Sequence, residues 1–229
     1  TCPTFAVTYQ FTPQFMMYAN HSESFDEGTV VGSSYANVGE TIPPAKTKQN
    51  EVGVKYQSKG LLQTLSYYNM RKQGTNAVMR GGLQYLELDK EQKYSGVEYS
   101  AVGRIAPQID MVLALNWLQA KQTNGSAVLG LPTWSGTAAL VYKPTDVLSV
   151  VGRLNYSGEA RIRHNSPLDV PAFTTFDLGL NYKMQVSGED VTLSLMCSNL
   201  FNKRYWYASG SSIAPGMPRT ISLSASCSF

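Results

Sequence analysis

The chain closes on Ile221-Ser222-Leu223-Ser224-Ala225-Ser226-Cys227-Ser228-Phe229, a strict two-residue alternation that runs to the final residue. In an extended strand Ile221, Leu223, Ala225, Cys227 and Phe229 share one face, and the serines share the other. The last residues of a soluble domain usually fray into water. A strand that is apolar on one side, small and polar on the other, and finished by an aromatic ring suits the closing strand of a membrane β-barrel.

The same period recurs along the chain, cut by turn signals. Phe5 to Phe11, Phe15 to Ser24, Glu51 to Gln57, Leu61 to Arg71, Tyr94 to Ile105 and Ile109 to Lys121 read as strands, as do Trp134 to Tyr142, Val147 to Arg161, Phe176 to Tyr182, Val191 to Cys197 and the terminal segment. Short turns such as Ser58-Lys59-Gly60 and Ser187-Gly188-Glu189-Asp190 alternate with longer stretches at Phe25 to Lys46, Lys72 to Glu91, Gln122 to Pro132, Arg163 to Pro171 and Tyr205 to Pro218. The Lys72 to Glu91 stretch reads as a hairpin extending past the membrane. Short turns on one rim and long loops on the other mark an outer-membrane barrel. Alternation alone also fits a soluble sandwich; the loop asymmetry and the aromatic terminus favour the all-β, antiparallel transmembrane barrel.

Composition agrees. Charged residues make up 15% of the chain, against roughly 25% in soluble proteins. Fourteen tyrosines suit the aromatic girdles of a lipid-bathed surface. No apolar run reaches the ~18 residues of a membrane helix, since Ile109 to Leu118 already contains Asp110 and Asn116. A net charge of +3, scattered along the chain, gives no argument for a nucleic-acid partner, and none is expected.

Eleven antiparallel strands leave the first and last running in the same direction, whereas bacterial single-chain barrels carry even counts. An open sheet in lipid leaves edge groups unsatisfied at several kcal/mol each. The chain therefore reads as part of a larger barrel, or as one with a partner. Thr1-Cys2-Pro3 opens without a secretory signal, so a leader was removed or lies upstream.

No catalytic residue is nominated. The two histidines, His21 and His164, come without a nucleophile elbow, phosphate-binding loop or HExxH pattern. The three cysteines have no metal-site spacing. Cys197 and Cys227 fall on apolar faces, either as small lipid-facing residues or as a strained cross-strand disulfide. Candidate ligand-binding residues are Trp134, Trp206 and Tyr207, aromatic faces beside long loops, and Arg161 and Arg163, which with His164 form a basic cluster. That cluster suits an anionic chelate or lipopolysaccharide phosphates; a solvated loop rim is the alternative. For Trp134 the alternative is the interfacial girdle.

Six segments, in order, resemble TonB-dependent outer-membrane receptors of the ferric-siderophore type: Tyr18 to Phe25, Pro44 to Tyr56, Tyr94 to Tyr99, Phe176-Asp177-Leu178-Gly179, Ser198-Asn199-Leu200-Phe201-Asn202-Lys203-Arg204-Tyr205, and Pro218-Arg219. The resemblance implies a barrel of about 22 strands with a plugged lumen, of which residues 1–229 form the C-terminal half, without the plug domain and the first half. It implies uptake of a ferric siderophore energised through TonB, in the bacterial outer membrane. Expected partners are the siderophore, the TonB system by way of the plug, outer-membrane lipid and lipopolysaccharide, and the barrel-insertion machinery at Phe229. No resident cofactor is expected, since iron enters only within the chelate cargo. A non-transporting barrel scaffold or surface-binding protein is the alternative.

Overall fold

The computed structural model describes residues 2–88, 91–164 and 168–228. The strands are β1 (Thr4–Thr12), β2 (Phe15–Phe25), β3 (Thr29–Val30), β4 (Thr41–Ile42), β5 (Lys46–Ser58), β6 (Leu61–Lys72), β7 (Thr75–Arg80), β8 (Leu83–Leu88), β9 (Gln92–Ala106) and β10 (Ile109–Lys121). They continue as β11 (Trp134–Tyr142), β12 (Leu148–Ser157), β13 (Ala160–Arg161), β14 (Asp169–Val170), β15 (Phe173–Val186), β16 (Glu189–Ser198), β17 (Trp206–Ser209), β18 (Ser212–Pro215) and β19 (Thr220–Ser228). Eleven of them form one sheet in the order β1-β2-β5-β6-β9-β10-β11-β12-β15-β16-β19. The other eight pair as four hairpins, each inside one of the long loops. The fold is all-β and antiparallel, and among the described residues the sheet does not close on itself.

Several boundaries differ from the periodicity, and two of them have a clear local cause. β5 begins at Lys46 rather than Glu51, because Lys46 to Asn50 is polar on both faces and shows no alternation; pairing, not hydrophobicity, carries that extension. β12 stops at Ser157, one residue before the Gly158 N–H makes a last bond to the carbonyl of Trp134 on β11 at 2.8 Å. Ala160–Arg161 then leaves to pair with Asp169–Val170. The expected role of Phe229 lies outside the described residues.

The contacts divide into two compact units. The first comprises Thr1–Val54, Ser66–Val97 and Leu118–Val128. Within it Phe5 pairs with His21, Val7 with Ala19 and Tyr9 with Met17, so these side chains share one face. Its loop hairpins β3–β4 and β7–β8 bury Val31, Ile42 and Ala45. The Asn37 side-chain amide clips the two loops together: it donates to the carbonyl of Leu86 at 2.9 Å and accepts the Leu86 N–H at 3.1 Å.

The second unit comprises Lys55–Leu65, Glu98–Trp117 and Leu129–Phe229. Its registers separate the two faces. Leu115, Gly136 and Tyr156 follow one another across β10, β11 and β12. Leu178, Cys197 and Ile221 do the same across β15, β16 and β19. Leu154 opposes Phe176, so one face is apolar throughout. Its side chains are far from buried: Leu223 is 74% exposed and Ile221 69%. The opposite face carries Thr137, Asn155 and Thr175 in one row and Ala139, Arg153 and Asp177 in the next. An apolar band open to its surroundings and a polar face carrying the charges is the inverse of a soluble protein.

Tight turns close the short ends. Lys59-Gly60 and Ser187-Gly188 have positive φ at both positions, 49° and 87°, then 54° and 88°. This is the primed hairpin geometry whose twist matches the flanking strands, and it calls for glycine at the second position.

Candidate functional site

The polar face of the second unit is built around Asp177, which is only 8% exposed. Register sets Arg153 opposite it on β12. The Arg153 Nε donates to Asp177 Oδ2 at 2.9 Å, and Asn155 Nδ2 donates to the same oxygen at 3.1 Å. Oδ1 accepts the backbone N–H of Asn199 at 2.8 Å. A carboxylate taken from water is thus met by an opposite charge and two further donors, as burial of a charge demands.

Asn199 carries the connection into the loop that follows β16. Its backbone sits at φ 50°, a conformation that asparagine tolerates better than most residues. Nδ2 donates to the carbonyls of Lys203 and Met217, each at 2.9 Å, and Oδ1 accepts the Lys203 N–H at 2.8 Å. Asn202 Oδ1 accepts the Arg219 N–H at 3.0 Å. The segment Ser198 to Tyr205 is therefore a staple that ties both ends of the last loop to Asp177. Phe201 meets Phe176 edge-on at 5.4 Å, on the apolar side. Tyr205 stacks on Phe173 at 4.2 Å and covers Gly216, where a Cβ would stand 2.2 Å from the ring.

Beyond this staple the loops of the second unit share a small core. Ala160, Ile162 and Val170 are buried together, and Ala208 of β17 packs against them. The Gly130 N–H donates to the carbonyl of Arg161 at 2.7 Å, and Pro132 bridges to Ala160. Arg161, Trp206 and Tyr207 thereby come to one loop cluster. The Arg161 Nε stands 3.5 Å from Asp169 Oδ1, so its charge already has a partner. Arg163 and His164 lie exposed in the loop after β13. Strand alternation sends Trp206 to the same side as Ala208 and Tyr207 to the other. Trp206 lines a shallow groove of about 380 Å³ with Lys203, Arg204, Tyr205 and Pro215.

Trp134 is placed differently from the other candidates. It opposes Trp117 in register, and its parity is that of Leu115, Tyr156 and Phe176. The side chain therefore shares the apolar face of β10 and β11. The two tryptophans stand opposite each other in register at the loop end of β10 and β11.

In the first unit the polar face carries Tyr18, whose ring lies over Gly53; a Cβ there would stand 2.6 Å from the ring. The Tyr18 hydroxyl donates to Glu51 Oε1 at 2.5 Å, and Gln49 Nε2 donates to Oε2 at 3.3 Å.

Two features escaped sequence reasoning. The Phe173–Tyr205 stack joins residues 32 positions apart, and the Arg153–Asp177–Asn199 chain joins β12, β15 and the loop after β16. The signals for them were the family segments Phe176-Asp177-Leu178-Gly179 and Ser198 to Tyr205. Among the described residues no group of three or more His, Cys, Asp or Glu side chains is arranged to hold a metal ion. Cys2, Cys197 and Cys227 are free; register sets Cys197 opposite Ile221 and Cys227 opposite Val191, so the cross-strand disulfide does not form.

A family model described as TonB dependent receptor-like, beta-barrel, matches residues 2–200. The chain belongs to this family of TonB-dependent receptor β-barrels. It is 27% identical over 242 residues to the metal-pseudopaline receptor CntO of Pseudomonas aeruginosa, covering 99% of this chain and 33% of that protein. It is 25% identical over 244 residues to the ferrichrome receptor FcuA of Yersinia enterocolitica, covering 99% and 32%. Among solved structures, the ferric preacinetobactin receptor BauA of Acinetobacter baumannii superposes with a TM-score of 0.82 at 27% identity, over 100% of this chain and 36% of that one. The chain spans about a third of the length of these relatives.

Proposed function

We propose that this chain works as barrel wall and outer loops of an outer-membrane receptor that takes up a ferric siderophore, energised through TonB. In this reading further strands pair with the open edges of β1 and β19, because unpaired backbone in lipid costs several kcal/mol per group. The apolar face lies in the bilayer and the long loops face outward. A plug coupled to TonB fills the lumen against the polar face.

The observation that carries the proposal is the continuity from wall to loops. The Arg153–Asp177–Asn199 chain starts on the polar face and ends in the loop that presents Trp206 and Tyr207. Arg161 stands in the same loop cluster. Aromatic faces suit the flat, partly apolar shell of a metal chelate, and a guanidinium suits its anionic periphery. The named cargoes of the relatives, metal-pseudopaline, ferrichrome and ferric preacinetobactin, are all metal chelates, which supports the class without selecting a member.

The test is uptake of radiolabelled iron presented as a panel of ferric siderophores to cells that carry the full receptor as their sole candidate transporter. At least one chelate is expected to be taken up, and uptake should vanish on deletion of TonB. Uptake of every chelate equal to that of receptor-free cells would sink the reading.

A further inference from the structure

Buried apolar side chains sit in the loops rather than in the wall. Among the described residues Val31, Ile42, Ala45, Ala160, Ile162 and Val170 are buried outside the eleven-stranded sheet, and Ala101 is buried within it. A wall with its apolar side chains turned outward has little interior of its own. A loop that buries apolar groups folds around them and gives up the mobility usual for surface connections. In the second unit that folding brings three loops, those after β10, β12 and β16, to one point.

Gly130 is that point. Its N–H donates to the carbonyl of Arg161 at 2.7 Å, and Pro132 bridges to Ala160, so the first loop is pinned to the second. Where a side chain would grow from position 130, the backbone of Gly210 stands instead. A Cβ there would lie 2.6 Å from the Gly210 carbonyl oxygen and closer still to its nitrogen. Gly210 sits in the turn of the β17–β18 hairpin, whose register runs from Trp206–Pro215 to Ser209–Ser212. The same hairpin lays Ala208 on the core of Ala160, Ile162 and Val170, and its foot is held by Tyr205 stacked on Phe173. The hairpin is thus fixed at foot, middle and tip, and the tip contact exists only because position 130 carries no side chain. The φ of Gly130 is 79°, so a substitution adds backbone strain to the clash.

We propose that Gly130 is a positioning residue for ligand capture. It latches the hairpin that carries Trp206 and Tyr207 to the strand that carries Arg161, so that these three side chains stand preformed as one surface. The inference rests on the receptor reading above. Ordering a loop at the moment of binding costs entropy that subtracts from affinity. A surface already ordered is spared that cost, and nearly every receptor molecule is competent to bind. Loss of the latch leaves each contact available but only a fraction of hairpins in place. Capture then slows, while release from the completed complex is nearly unchanged.

The experiment uses the full receptor carrying this chain, in detergent, and first reads hydrogen exchange without ligand. Residues 129–132, 160–162 and 206–209 are expected to exchange as slowly as the wall strand β16. In Gly130→Ala all three segments should exchange about tenfold faster, with the heat-modifiable mobility of the barrel retained. Gly125→Ala is the control. It lies in the same loop at φ 84°, with open space where its Cβ would stand, so it adds strain without the clash. It should leave the three segments protected. Stopped-flow binding of the panel of ferric hydroxamate, catecholate and carboxylate chelates used for uptake then separates the rates. For a chelate that the wild type binds, Gly130→Ala should slow association about tenfold and change dissociation by less than about twofold. Fast exchange of the three segments in the wild type would overturn the preformed surface, and so would unchanged association in the variant. Should Gly130→Ala fail to fold, the wild-type exchange alone decides. Protected segments in a wild type that binds no chelate of the panel would overturn the receptor reading, and the role in capture with it, so the two failures are told apart.

Discussion

Asp177 on β15 and Asn199, just past the end of β16, are joined by a backbone N–H to carboxylate bond of 2.8 Å, and both residues are buried, at 8% and 4% exposure. This contact links the charged row of the barrel wall to the amide that holds the last loop. Removing the carboxylate leaves the Asn199 N–H without an acceptor and Arg153 without its counter-charge. Asp177→Ala is expected to destabilise the protein by about 3 kcal/mol, within the range for breaking a buried pair. Asp177→Asn retains an acceptor for Asn199 and should cost less. Thermal unfolding in detergent checks the order. Limited proteolysis should show the loop after β16 cut sooner in the alanine variant.

Gly53 and Tyr18 test the first unit in the same way. A side chain at position 53 meets the tyrosine ring at 2.6 Å. Gly53→Val should expel the ring, break its bond to Glu51 and cost about 1–3 kcal/mol as overpacking. The double variant with Tyr18→Ala should recover part of that loss, because the clash is gone. A cycle of the four melting curves gives the coupling, and an additive result would show that the ring is not the obstacle.

The two aromatic candidates should separate by environment. Trp134 shares the apolar face and Trp206 sits in the loop cluster. In single-tryptophan variants, brominated lipid should quench Trp134 strongly and Trp206 weakly. Trp206→Ala should weaken chelate binding by about tenfold, the equivalent of about 1.4 kcal/mol. Trp134→Ala should change it by less than about twofold. Fluorescence titration with the bound chelate measures both.

The cysteine register predicts a crosslinking pattern. Cys197 opposes Ile221, not Cys227, and directly opposed residues in an antiparallel pair stand about 4.5–5.5 Å apart at Cα. Ile221→Cys should therefore crosslink to Cys197 under mild oxidation, within the reach of a disulfide. The wild-type pair should stay reduced. Mobility on non-reducing gels reads the result.

Much of this fold is legible in the chain because a β-strand writes itself in a period of two. Phe176 to Tyr182, Val191 to Cys197 and Ile221 to Cys227 alternate so strictly that strand, face and turn follow from residue order alone. Lys59-Gly60 and Ser187-Gly188 mark where the chain must reverse. The family segments add the class of protein. What alternation cannot carry is the partner across the sheet. It placed Trp134 beside a loop, and the register with Trp117 set it on the apolar face. It left Lys46 to Asn50 outside the strand, because a strand polar on both faces has no period to show. It gave Asp177 as a charge on a polar face, with no sign that Arg153 and Asn199 would close around it. Local pattern determines conformation, since each residue's φ, ψ and side-chain direction depend on its neighbours in sequence. Which charges meet, and which aromatic faces lipid, depends on strand pairing between residues tens of positions apart, and that is decided only when the sheet assembles.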